Sequence, residues 1–309
     1  MTSPDSFPED TLRRGPLLLL ATAILHFVLV QASANSQETL RDNSTGPAQS
    51  PAAEKPASDD RLQGVVPRPR AHSHNDYEHQ RPLWDALAQG FCSVEADIHL
   101  VGDQLLVGHD PGDVRPERTL AKLYLEPLRE RLMQQGGQVW PGITPFVLMI
   151  DIKTDGTATY RRLAEELQPY ASILTRVERG EVQPGPLLVV ISGNRDWESI
   201  AASEPRLVTV DGRMSDLERS DRPAADLMRM VSDNWSTHFT WRGEGPMPAA
   251  ERQKLAELVR QAHSEGRLVR FWATPERTEV WDELLAANVD LLNTDRLAEL
   301  SDYLSRARR

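Results

Sequence analysis

What most restricts the fold of this 309-residue chain is a rhythm of short apolar or β-branched runs, most of them separated by stretches of helical spacing. The runs are Arg70 to His74, Ser93 to Leu100, Phe146 to Ile152, Leu187 to Ser192, Arg206 to Asp211, Leu227 to Ser232, Leu268 to Ala273, and Val289 to Asn293. Such alternation predicts an α/β chain with a parallel sheet, and eight strand-helix units is the number that closes a single TIM-type β/α barrel. The clearest helices are expected at Ala249 to His263 and Glu276 to Ala287, with Gly266 and Asn288 as stops, and earlier ones at Leu83 to Gln89 and Tyr160 to Leu167. Gly102-Asp103 reads as a tight turn and Leu105 to Val107 as a returning strand, so a short hairpin is expected after the second barrel strand.

The ends of the chain narrow the context. Arg13 and Arg14 precede an apolar stretch from Leu17 to Val30 and then Ala32-Ser33-Ala34, the build of a secretory signal peptide over residues 1–34. An uncleaved N-terminal anchor is the alternative, although the apolar run falls short of the roughly 20 residues that span a bilayer. Residues 35–66 are rich in Ser, Ala, Pro, Asp and Gln and are expected to form a disordered linker, leaving residues 67–309 for the barrel. Export to the periplasm or the extracellular space follows as an expectation. The formal charge of -11 and the lack of basic runs argue against a nucleic-acid binder. Cys92, the only cysteine, excludes an intramolecular disulfide and reads as a buried thiol beside a strand.

Barrel enzymes carry their chemistry at the C-terminal ends of strands, and polar residues gather at those ends here. In Val94-Glu-Ala-Asp-Ile98, Glu95 and Asp97 are two apart and share a strand face. Two adjacent carboxylates repel unless a divalent cation lies between them, and hard oxygen ligands select Mg2+ or Ca2+. Asp151, in Met149-Ile-Asp-Ile-Lys153, offers a third oxygen, with Lys153 on the same face to hold a phosphate oxygen or balance charge. His72 and His74 share a face at the first strand end, whereas His109 follows the hairpin, so imidazoles can approach a substrate from two directions for acid and base work. Strand spacing permits either His72 or His74 as the catalytic partner. His79, His99, His238 and His263 have no such context and read as structural or surface residues.

The runs Ala71-His-Ser-His-Asn75, Ser93-Val-Glu-Ala-Asp-Ile98, Leu106-Val-Gly-His-Asp110 and Ile150-Asp-Ile-Lys153 resemble the phospholipase C-like phosphodiesterase superfamily, which includes glycerophosphodiester phosphodiesterases and sphingomyelinase D-type toxins. Phe271-Trp-Ala273 and Asp290-Leu-Leu-Asn-Thr-Asp295 are similar to the last two strand ends of that barrel, and Ser73 to Tyr77 resembles the branch containing altered inheritance of mitochondria protein 6. The resemblance implies Glu95, Asp97 and Asp151 as metal ligands, a first-strand histidine with His109 as the acid/base pair, and Lys153 as a phosphate or active-site contact. It also implies Asn75 as a substrate contact and Trp272 as a stacking wall for the headgroup. His-Ser-His in place of His-Arg-Gly, and Asp151 in place of a third-strand glutamate, set this chain apart from ordinary glycerophosphodiester phosphodiesterases and leave the substrate open.

The expected activity is therefore metal-dependent cleavage of a phosphodiester, in a glycerophosphodiester or a phospholipid headgroup. Two other readings compete. His72-Ser-His74 also matches the first-strand His-x-His of zinc amidohydrolase barrels, though the later strand ends offer Asn194, Asp211 and Asp233, with no histidines where that family places further zinc ligands. A non-catalytic exported barrel that binds a lipid or carbohydrate is the other. A small-molecule or lipid diester is the expected partner, with peripheral membrane contact through Trp235, Phe239 and Trp241 set against the simpler reading of these three as a local packing cluster.

Overall fold

A computed structural model describes residues 62–307. The expected signal peptide and the linker up to residue 61 lie outside the described residues. Of the remaining linker residues, Leu62 is buried and Val65 packs against the core, so the composition there conceals an anchored start.

The elements in chain order are β1 (Arg68–Ser73), α1 (Trp84–Ala88), β2 (Phe91–Val101), β3 (Gln104–Val107), α2 (Glu126–Gln134), β4 (Phe146–Ile152) and α3 (Gly156–Leu167). They continue with β5 (Arg176–Glu178), β6 (Glu181–Gln183), β7 (Leu187–Gly193), α4 (Trp197–Ala202), β8 (Thr209–Gly212), β9 (Met230–Asn234) and α5 (Trp235–His238). The last are α6 (Ala249–Ser264), β10 (Leu268–Trp272), α7 (Thr278–Ala286), β11 (Leu291–Thr294) and α8 (Leu297–Ala307).

The main sheet runs β1-β11-β10-β9-β8-β7-β4-β2-β3, and β1 also pairs with β2. That extra pairing closes eight parallel strands into a barrel, with β3 turned back antiparallel on β2 as the expected hairpin. Alternation along β4 shows how the barrel is filled. Phe146, Leu148, Ile150 and Ile152 belong to the large core beneath the helices, whereas Val147 and Met149 meet Leu188, Val190, Met230 and Leu291 in a second cluster inside the barrel. On β2 the same alternation sends Val94, Ala96 and Ile98 outward to the large core, and Ser93, Glu95 and Asp97 to the other face. Apolar side chains thus fill part of the lumen, and polar ones take the rest.

The helices seal the outside. On α6, Leu255, Val259 and Ala262 are buried at helical spacing, and α3 is capped by Asp155, whose Oδ1 accepts from Ala158 N at 2.8 Å. The aromatic loop is not a lipid-facing surface. Trp235, Phe239 and Trp241 are buried, Trp235 stacks at 4.2 Å on Phe239 and edge-on at 5.8 Å to Phe271, and its Nε1 donates to Trp241 O at 2.9 Å. Membrane contact through these residues is therefore replaced by core packing, because burying three such rings gains more than exposing them. Among the described residues no helix is long and apolar enough to cross a membrane.

Candidate active site

β2 and β4 lie in register, with Asp97 opposite Asp151, so the i, i+2 pair on β2 is joined by a third carboxylate from the next strand. Ligand atoms of Glu95, Asp97 and Asp151 all lie within 4.8 Å of one another. Asp97 is the hub. Its Oδ2 accepts from the Tyr77 hydroxyl at 2.7 Å, and lies 2.9 Å from Lys153 Nζ and 3.1 Å from His109 Nδ1. Its Oδ1 is buried and has no hydrogen-bond partner, an arrangement that costs free energy unless something else satisfies it. A divalent cation shared with Glu95 and Asp151 fits that oxygen set. Gly193 keeps the third carboxylate in place: at φ +69°, an added Cβ would fall 2.3 Å from Asp151 Oδ1.

Two cations offset part of the charge of the three carboxylates. Lys153 Nζ lies 3.1 Å from Asp151 Oδ1, and despite partial burial these carboxylates raise its pKa. Burial pushes the pKa of Asp151 up, helped by the charges of Asp97 and Glu95 and opposed by Lys153. The second cation, Arg270 on β10, lies wholly in the interior. Its Nη1 donates to Glu95 Oε2 and, at 3.0 Å, to Asn293 Oδ1. Burial alone would raise the pKa of Glu95, but Arg270 and the bond to His72 outweigh it and hold the carboxyl well below its ordinary range.

The two first-strand histidines part company. His72 is buried, with Nδ1 2.6 Å from Ser93 Oγ and Nε2 2.7 Å from Arg270 Nη1. Nε2 also lies 3.2 Å from Glu95 Oε2, so it faces both a donor and an acceptor. Burial, then the charge of Arg270, pushes its pKa down to about 4. The expected consequence is acid sensitivity. A histidine depressed from 6.5 to about 4 contributes stability that is present above pH 6.5 and lost as pH falls through this window, because there only the unfolded chain takes up the proton. Denaturant melts between pH 7 and 4 should show up to about 3 kcal/mol of this loss removed by His72→Asn.

β1 ends at Ser73, and His74 lies beyond it, where Nδ1 reaches Asp295 Oδ1 at 2.8 Å. Burial works against its charged form, but the Asp295 bond and the Glu95 charge prevail and raise its pKa. His109 stands on the loop after β3 with a half-exposed side chain. His99, two residues beyond Asp97 on β2, lies 3.1 Å from the carbonyls of Gly108 and His109 and so ties down that loop. Tyr77 completes the group: its hydroxyl lies 2.8 Å from Asn75 Oδ1 and 3.1 Å from His109 Nδ1, and burial and Asp97 raise its pKa. Asn75 takes left-handed backbone angles, with φ 46°, which an Asn tolerates. Asp76 braces this loop from inside, accepting from Ser73 Oγ at 2.7 Å and Tyr124 hydroxyl at 3.0 Å. Trp272 ends β10 beside Asn234 of β9 and is partly exposed.

Residues 59–140 and 141–211 match the AIM6-like phosphodiesterase domain. Altered inheritance of mitochondria protein 6 of Eremothecium gossypii is 31% identical over 270 residues, covering 76% of this chain and 69% of that protein. The chain belongs to the AIM6-like phosphodiesterase family. An altered inheritance of mitochondria protein 6 homolog of Arthroderma benhamiae is 29% identical over 92% of this chain and 98% of its own length. Among solved structures, a glycerophosphodiester phosphodiesterase from Agrobacterium tumefaciens is similar at 14% identity with a TM-score of 0.49, covering 77% of this chain and 100% of its own. A calcium-dependent phosphoinositol-specific phospholipase C from Pseudomonas, in apo form, is similar at 13% identity with a TM-score of 0.46, covering 78% and 96%.

In this AIM6-like phosphodiesterase domain, Glu95, Asp97, Asp151, Lys153 and His109 form one connected group, and His72 joins it from below through Glu95. Arg270, Tyr77 and Asp295 belong to the same network; Tyr77 and Asp295 close two of the resembling motifs without an expected role, and Arg270 stands in none of them. Arg270 left one signal, a charged residue inside the apolar run Leu268 to Trp272, two positions before the partly exposed Trp272. The amidohydrolase pattern is not reproduced. His72 Nδ1 faces a hydroxyl and Nε2 a guanidinium, so the His-x-His pair does not present two nitrogens to one metal.

Proposed function

We propose that this chain cleaves a phosphodiester with the help of one divalent cation, Mg2+ or Ca2+, held by Glu95, Asp97 and Asp151. The observation that supports this reading above the others is the division of labour on Asp97, with Oδ2 surrounded by Tyr77, Lys153 and His109 and Oδ1 buried and bare. A cation bound there would supply charge stabilisation for the phosphoryl oxygens. His74 and His109 are the acid/base pair. Each rests Nδ1 on a carboxylate, Asp295 and Asp97 respectively, and neither Nε2 has a partner among the described residues. One takes the proton of the attacking hydroxyl, from water or from a neighbouring hydroxyl of the substrate to give a cyclic phosphate, and the other gives a proton to the leaving oxygen. Lys153 offsets the charge that develops on the phosphate, and Trp272 walls the mouth beside the headgroup. The substrate is a glycerophosphodiester or a phospholipid headgroup, met outside the cytoplasm if residues 1–34 direct export.

The deciding experiment is turnover by purified protein of glycerophosphodiesters, phosphoinositides and sphingomyelin, each with Mg2+, Ca2+ or a chelator. Chelation is expected to abolish turnover of the preferred diester, and re-addition of one of the two cations to restore it. Turnover that persists in chelator would overturn the metal role, and tight binding of these compounds without any cleavage would favour a non-catalytic barrel.

A further inference from the structure

Beside the carboxylate cluster, the next strands round the barrel build a second charged group. Ser192 on β7 stands in register with Asp151 on β4, and its hydroxyl donates at 3.1 Å to Oδ2 of Asp211, the buried residue near the end of β8. The same oxygen accepts from Ser232 Oγ of β9 at 2.5 Å and from Arg213 Nη1 at 3.0 Å, while the backbone carbonyl of Asp211 accepts from Arg195 Nη1 at 2.5 Å. One residue therefore anchors two guanidinium groups that arrive from different loops. Arg213 spends the same Nη1 on Gly212 O at 3.0 Å and Ser232 O at 3.4 Å, and its backbone N–H donates to Asp216 Oδ2 at 2.8 Å. Among the described residues neither guanidinium makes a hydrogen bond through Nε or Nη2.

Asp211 is the counter-ion of Arg213, and the Nε–H and Nη2–H groups of both guanidiniums remain to bind an added anion. Burial, and after it the charge of Arg213, lowers the pKa of Arg195 although Asp211 and Asp216 pull the other way, so the two cations sense each other. Arg195 lines an open cleft of about 820 Å³ together with Lys153, Thr154, Thr157, Asn194 and Trp197, and its guanidinium stands 5.8 Å from the Trp197 ring centre. The two carboxylates in the cleft wall are occupied as helix caps: Asp155 accepts from Ala158 N at 2.8 Å, and Asp196 from Ser199 N at 3.1 Å and Ser199 Oγ at 2.7 Å. Lys153 belongs both to this cleft and to the cation cluster, which brings the two places within reach of one small molecule.

We propose that Arg195 and Arg213 form an anion subsite that takes a phosphomonoester carried on the alcohol portion of the substrate, next to the diester that is cleaved. The inference rests on the phosphodiesterase reading and sharpens its substrate class. A planar carboxylate is satisfied by one bidentate arginine, whereas two guanidinium groups fixed from separate loops suit a tetrahedral dianion with oxygens on several sides. Neutral sugars and choline-type headgroups offer these arginines nothing of matching charge.

The test compares kcat/KM for glycerophosphoinositol and for its ring-phosphorylated counterpart, glycerophosphoinositol 4-phosphate, in the wild type, Arg195→Gln, Arg213→Lys and the double Arg195→Gln/Arg213→Gln variant. The expected wild-type preference for the phosphorylated diester is about tenfold or more, the effect of one or two charge-assisted bonds, and it should fall to about one in the double variant. A wild-type ratio near one, or a ratio that the double variant leaves intact, overturns the subsite. Calorimetric binding of inositol 4-phosphate provides a readout independent of turnover. If no diester of the wider substrate panel is cleaved, the phosphodiesterase reading fails, yet binding at least about tenfold weaker in Arg195→Gln and Arg213→Lys still supports the subsite, and equal binding rejects it. Arg213→Lys keeps a positive charge beside Asp211, so a folding defect in the double variant does not decide the outcome.

Discussion

Replacing Arg270 by Met is expected to destabilise the protein by about 3–5 kcal/mol, the cost of leaving one partner of a buried ion pair uncompensated. Arg270 is 3% exposed and lies against Glu95, His72 and Asn293, so its loss leaves the Glu95 carboxylate in the interior without that partner. For a domain of this size, the change corresponds to a drop in Tm on the order of 10 °C. Two further outcomes separate the charge effect from lost packing. Saturating Mg2+ or Ca2+ should restore more stability to Arg270→Met than it adds to the wild type, because the cation then replaces the largest charge opposite Glu95. The double variant Glu95→Gln/Arg270→Met should recover part of the lost stability without recovering the cation response, since it removes the buried charge and a ligand together. A melt of Arg270→Met that matches the wild type would show that the pair does not hold the lumen together.

How much of this network can be read from sequence depends on how far apart its members lie in the chain. Glu95 and Asp97 are legible because a strand places i and i+2 on one face, and Asp151 because β4 is an unbroken apolar run whose single acid stands out. Arg270 meets Glu95 across 175 residues, and Asp295 meets His74 across 221, contacts that exist only once the barrel has closed. The choice between His72 and His74 fails for a local reason. Period two predicts that both face inward, but β1 ends at Ser73, so His74 leaves the strand and turns to Asp295 at the rim.

The fold shows the same division. β4 begins and ends where the apolar run does, at Phe146 and Ile152. The run from Arg206 to Asp211 reads as one strand, yet Arg206 pairs with Val177 outside the barrel, and barrel pairing starts only at Thr209. The expected strand from Leu227 to Ser232 likewise begins three residues later, at Met230. The hairpin of β5 and β6 escapes notice because each three-residue strand has one apolar residue between polar ones, although Arg179 and Gly180 both have positive φ, as a tight two-residue turn requires.

Changing His109 to Ala is expected to lower kcat by about 10²–10⁴-fold, the range for loss of a positioned acid or base, with a much smaller change in KM. The geometry makes the reason specific. Nδ1 of His109 is fixed on Asp97, and the loop that carries it is pinned by His99, so the ring is held in place rather than hanging from a mobile segment. His74→Ala should cost a similar factor, and the double variant little more than either alone, because an acid and a base that serve one transfer act as a unit. His72→Ala should behave differently: its ring is buried against Ser93 and Arg270, so the loss should appear mainly in Tm and in cation affinity. Asp295→Asn separates the two first-strand histidines further. It removes the carboxylate that orients His74 and leaves every contact of His72 intact, so a fall in kcat without a matching fall in Tm identifies His74 as the partner of His109. If His72→Ala alone abolishes turnover in a protein that melts like the wild type, and Asp295→Asn is silent, the roles of the two histidines are reversed.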